Sequence, residues 1–105
     1  MQKILRDFFL GFIRIYILHH AEREPIFGQY FNEELKRHGY ELSYGTLYPI
    51  FHSLEKEGYL VSEKKNVNGK IRKYYTITGE GKKMLEDAKR QIKELVDEVL
   101  EQEGE

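Results

Sequence analysis

The sequence of 105 residues contains no cysteine and no tryptophan, and only two prolines. Without cysteine there is no disulfide scaffold, no thiolate metal site and no cysteine nucleophile. The lack of tryptophan removes an aromatic that pockets for flat ligands often use. Long apolar runs are missing too. Ile4, Leu5, Phe8, Phe9, Phe12, Ile15, Tyr16 and Ile17 are interrupted by Arg6, Asp7 and Arg14, and no small-residue cleavage site follows them. This segment reads as neither a membrane span nor a signal peptide, so the expected compartment is the cytoplasm. There is no HExxH, nucleophile elbow or phosphate loop, and His19, His20, His38 and His52 lack partners at metal-ligand spacing. They read as surface histidines, and the chain calls for no metal, no cofactor and no enzymatic activity.

Excess charge is also missing. The formal net charge of −1 argues at first against nucleic acid, but it hides three unequal segments. Residues 1–59 carry seven Lys/Arg against eight Asp/Glu, residues 60–83 seven against two, and residues 84–105 three against eight. A basic middle and an acidic tail can face different ways on one fold, so local sign decides what binds where.

What is present is a series of helical patterns interrupted once by strands. The first block, Ile4 to Leu18, has more large apolar side chains than one stripe holds, as expected of a helix that buries a second face. A second helix is expected to open around Pro25, which suits a first turn, and to end at Gly39 after Lys36, Arg37 and His38. Phe27, Tyr30, Phe31 and Leu35 would form its apolar face. A third helix starts at Ser43 as N-cap, carries Leu47, Ile50, Phe51 and Leu54 at helical spacing, and closes at Gly58. The link from Gly39 to Ser43 is short enough for a turn between crossed helices. Pro49 lacks the amide hydrogen that would reach the carbonyl of Gly45, which predicts a kink or a loosened first turn.

After Gly58 the period becomes two. The runs YLVSEKKNV and KIRKYYTIT are joined by Asn68-Gly69, the dipeptide suited to a tight hairpin. Thr78 then caps a last helix from about Gly79 to Gln102, in which Leu85, Ala88, Ile92, Leu95 and Val99 keep a heptad rhythm. The expected fold is mainly α with a small β-hairpin: a winged helix-turn-helix over residues 1–78, followed by a C-terminal dimerisation helix over 79–105.

Such an order suits DNA, because a major groove about 12 Å wide admits one helix and a hairpin beside it reaches the backbone. Gly45 keeps no side chain between backbone and phosphate, helix N-terminal amides favour anions, and Ser43, Thr46 and Tyr48 offer hydroxyls. The face opposite Leu47 holds Gly45, Pro49, His52, Ser53 and Lys56, small and polar enough to lie in a groove. Tyr74 and Tyr75 read as packing residues of the strand.

The stretch SYGTLYPIFHSLEKEGYL followed by NGKIRKYYTITGEGKKML closely resembles the PadR family of transcriptional regulators. The match is strong over roughly residues 43–85. Around Pro25 the sequence departs from the family's Gly-Tyr-Glu, since Gln29 separates Gly28 from Tyr30. The resemblance implies a homodimer that binds palindromic operator DNA, normally as a repressor. It places Ser43, Tyr44, Gly45, Thr46 and Tyr48 on the DNA-facing start of a recognition helix spanning 43–58. His52 and Ser53 follow on the same helix as candidates for sequence preference. Lys64, Lys65, Asn68, Gly69, Lys70, Arg72 and Lys73 belong to a basic wing over 60–77. The dimer interface would draw on Leu5 and Phe9 from the first helix and on Leu85, Ala88, Ile92, Leu95 and Val99 from the last. Phe8, Phe12 and Tyr16 are candidates to line a pocket for a small aromatic effector, although packing accounts for them equally well. Two alternatives remain: a dimeric module that recruits protein without DNA, and a sensor of aromatic compounds with little DNA binding.

Overall fold

The computed structural model describes residues 2–101. Its elements are α1 (Lys3–Arg23), α2 (Gly28–Arg37), α3 (Tyr44–Lys56), β1 (Leu60–Val67), β2 (Lys70–Ile77) and α4 (Gly79–Leu95), which passes into π-helical winding over Val96–Glu101. The two strands form one antiparallel sheet, and α2, α3 and this hairpin build a winged helix-turn-helix. The expected helix end at Gln102 lies outside the described residues.

The core is assembled from every element at once. Ile13, Ile17, Leu18 and Ala21 of α1 meet Phe31 and Leu35 of α2, and Leu47, Ile50, Phe51 and Leu54 of α3. Leu60, Tyr75 and Leu85 close it from β1, β2 and α4. The i, i+3, i+4, i+7 stripe of α3 is buried as its spacing predicts.

The ends of α2 and α3 are built alike. Gly39 and Gly58 have φ of 86° and 89°. In each case the next residue's amide reaches back to the last turn, Tyr40 N–H to Leu35 O and Tyr59 N–H to Leu54 O, both within 3.0 Å. This left-handed closure satisfies carbonyls that the helix leaves free, and it favours glycine.

The start of α2 differs from the expectation. Pro25 lies outside the helix, which opens at Gly28 with Phe27 as an extended N-cap. The reason is Ile26, buried and bridged to β2: its N–H donates to Tyr75 O at 3.0 Å and its carbonyl accepts from Tyr75 N–H at 2.7 Å. Those two bonds hold the linker extended, and that outweighs the preference of proline for a first helical turn. Phe27 therefore leaves the apolar face of α2 and turns to the wing.

α4 is fixed at its start. Thr78 Oγ1 accepts from Gly81 N–H at 3.0 Å and donates to Gly58 O at 2.6 Å, so one hydroxyl caps α4 and ties it to the end of α3. Pro49 is accommodated within α3, which runs unbroken from Tyr44 to Lys56.

Candidate nucleic-acid interface

The start of α3 is organised by its cap. Ser43 Oγ accepts from Thr46 N–H at 3.2 Å and lies 3.0 Å from Thr46 Oγ1, so these two hydroxyls serve the helix end while remaining at the surface. Tyr44 and Tyr48, one turn apart, stack with ring centroids 6.1 Å apart and are both exposed. A methyl group built on Gly45 would come no closer than 3.8 Å to Ser43 Oγ, so packing within the chain leaves room for a larger residue there. His52 is exposed; Ser53 is half-buried and donates to Glu57 Oε1 at 3.3 Å.

The wing is a fully paired hairpin whose turn places Asn68 and Gly69 at φ of 52° and 84°. Gly69 N–H donates to Asn66 Oδ1 at 3.0 Å, stiffening the tip. Cross-strand partners share a face. Lys64 pairs with Lys73 on the face of buried Tyr75, and Lys65 pairs with Arg72 on the face of Tyr74. Lys64, Lys65, Asn68, Gly69 and Lys70 are exposed.

Three of the wing cations have partners inside the chain, and for Lys65 it is the Tyr74 ring, whose centre lies 5.5 Å from Nζ. The Arg72 guanidinium lies 4.5 Å above the ring of Phe27, which is itself edge-on to Tyr74 at 5.3 Å. Lys73 Nζ is 3.3 Å from Glu55 Oε1 and 5.5 Å from the centre of the Tyr75 ring. Ser62 Oγ donates to Glu55 Oε2 at 2.5 Å. The Ser62 bond, helped by Lys73 against the effect of burial, lowers the pKa of Glu55. Burial raises the pKa of Tyr75, whose enclosed Oη has no hydrogen-bond partner among the described residues. Glu55 thus joins α3 to the wing. Sequence reasoning missed Glu55, Ser62 and Phe27, because these contacts depend on how the hairpin docks. Ser62 and Lys73 share one face of the hairpin, but nothing local aims that face at Glu55.

Between the starts of α2 and α3 and the wing lies a cleft of about 300 Å³, with Phe27, Tyr44, Tyr48, Phe51 and Tyr75 among its walls and Lys64, Arg72 and Lys73 beside them. Aromatic walls with cations alongside suit a sugar–phosphate edge.

The remaining candidates divide. Leu85, expected between chains, is 1% exposed and belongs to the core, because α4 packs on α1 in its first turns. Ala88 is half-buried, whereas Ile92, Leu95 and Val99 are exposed, as is Leu5. Phe9 packs against Phe12 and Tyr40 at 6.2 and 5.4 Å. Tyr16 stacks on Phe12 and meets core residue Phe31 at 5.6 Å, while Phe8 is exposed. These three effector candidates lie outside the cleft described above. His20, next to Tyr16, has a lowered pKa through burial and then through His19. Among the described residues no cluster of three or more His, Asp or Glu is arranged to hold a metal ion, and no helix is long and apolar enough to cross a membrane.

Comparison with known proteins gives this architecture its place. The profile of the "Transcriptional regulator PadR-like family" matches residues 17–87. "Transcriptional regulator Rv3488" of Mycobacterium tuberculosis is 44% identical over 96 residues, covering 91% of this chain and 90% of that protein. Among solved structures, a PadR family transcriptional regulator from Eggerthella lenta superposes with a TM-score of 0.80 at 34% identity, covering 91% of this chain and 85% of the other. A PadR-like transcription factor from Bacteroides fragilis gives 0.81 at 27% identity, covering 93% and 96%. The sequence match reaches from α1 into α4 and the structural match spans nearly the whole chain, so this protein belongs to the PadR-like family of transcriptional regulators.

Proposed function

We propose that the protein is a homodimeric repressor that binds palindromic operator DNA, with α3 in the major groove and the wing on flanking backbone. The observation that carries this reading is the concentration of exposed cations on the hairpin, Lys64, Lys65 and Lys70, beside the hydroxyl-rich start of α3. Phosphate contacts from such a wing would fix register, and His52 and the tyrosine pair would face the bases. In a two-fold dimer the half-sites would lie about one helical turn apart, or a multiple of it. Apolar side chains left uncovered at the start of α1 and the end of α4 support dimerisation as the way they are buried. The protein would act in the cytoplasm, without catalysis.

The test is selection of bound duplexes from a random pool by the purified protein, followed by retardation assays and a reporter driven by the enriched site. An enriched inverted repeat, bound less tightly as salt rises and silencing the reporter, is the expected result. Failure to enrich any repeat would remove the operator reading, and activation of the reporter would remove the repressor assignment.

A further inference from the structure

Residues 26–28 touch both elements that face DNA. Ile26 is bonded to Tyr75 of the wing, Phe27 carries Arg72 of the wing on its ring, and Gly28 faces Tyr44 at the start of α3. A methyl group built on Gly28 would stand 2.7 Å from Tyr44 Oη and 3.2 Å from two of its ring carbons, Cε2 and Cζ. The backbone gives Gly28 no other reason to be glycine. Among the described glycines positive φ is confined to Gly39, Gly58 and Gly69, and a helix start accepts alanine readily. Gly79 provides the contrast: it also opens a helix, yet a methyl group there would meet nothing within 4 Å.

We propose that Gly28 is a positioning residue for operator recognition, its bare Cα letting Tyr44 lie against the start of α2 and so fixing the Tyr44–Tyr48 pair at the tip of the recognition helix. The inference rests on the DNA-binding reading above. Tyr44 is 54% exposed, so its ring can swing away from an added methyl without disturbing the core. Substitution would therefore spare the fold and misplace the tyrosine. In the other direction, the linker from α1 reaches both the wing and the helix tip through three consecutive residues.

The test compares Gly28→Ala and Gly79→Ala with the parent full-length protein, using the duplex that the parent enriches from a random pool. Gly28→Ala is expected to bind that duplex about tenfold more weakly. Its salt dependence should match the parent's, because no cation is removed. Its thermal midpoint should be equal or higher, since alanine replaces glycine in a helix. The magnetisation transfer expected between the Tyr44 ring protons and position 28 in the parent should weaken in the variant. Gly79→Ala should bind as the parent does. Undiminished binding by Gly28→Ala would overturn the inference and leave the DNA reading standing. A binding loss accompanied by a lowered midpoint, or shared by Gly79→Ala, would overturn it as well, by assigning the effect to stability or helix propensity. A parent that enriches no duplex would sink the reading and the inference together.

Discussion

The middle of the molecule and its two ends use the same kinds of residue differently. Phe31 and Phe51 are enclosed by three helices and the hairpin, whereas Phe8 is 61% exposed and Ile4 82% exposed on the first turns of α1. Leu85 is buried in the first half of α4, but Ile92 and Leu95 are each 48% exposed further along. The heptad rhythm is continuous through α4, so local pattern does not distinguish these residues. The difference is where the rest of the chain stops: α1 and α4 outrun the compact body that could cover them. In the proposed homodimer these uncovered faces are where a second chain would pack.

This contrast can be broken by substitution. Phe31→Ala should cost about 4 kcal/mol in urea unfolding at any protein concentration, since it opens a cavity inside one chain. Phe8→Ala should matter only through association, so its effect should fade as the protein is diluted. Equal, concentration-independent losses at both positions would abolish the distinction between core and ends.

The pair Ile92→Asp with Leu95→Asp sharpens it next. Placing charge on the exposed stripe should weaken self-association on the order of a hundredfold and halve the mass seen by sedimentation, with helical content retained by the compact body. If the mass did not change, the interface would lie elsewhere.

Smaller effects belong to the wing, where cations differ in whether the chain already uses them. Lys70→Ala with Arg72→Ala should weaken all duplexes and flatten the salt dependence by roughly one unit of slope for each phosphate that is no longer neutralised. His52→Ala should shift base preference and leave that slope alone.

The smallest expected effect concerns the link between α3 and the wing. Glu55 has a lowered pKa in the folded chain, so its charge adds stability above the ordinary glutamate value, and that contribution disappears as pH falls through the folded value. Glu55→Gln should cost about 1 kcal/mol or less at neutral pH, and the gap from the parent should close in acid. A gap that widened in acid would reverse the assignment.

Much of this was legible from the residues. The stripe Leu47, Ile50, Phe51, Leu54, the hairpin turn at Asn68-Gly69 and the caps Ser43 and Thr78 each depend on neighbours within a few residues, and each appears where its pattern puts it. The start of α2 does not follow from Pro25, because the deciding partner of Ile26 is Tyr75, far along the chain in the second strand of the wing. The wing was legible as a basic hairpin, yet the docking of Lys73 on Glu55 and of Arg72 on Phe27 was not.

The sequence alone therefore determined the order of elements, their caps, the buried face of α3 and the basic character of the wing, because periodicity, turn chemistry and charge are local properties. The tertiary structure decided which half of each outer helix is covered, which wing cations already have partners, and that Gly28 lies against Tyr44. Those outcomes depend on how distant surfaces meet, and no stretch of the chain encodes that meeting by itself.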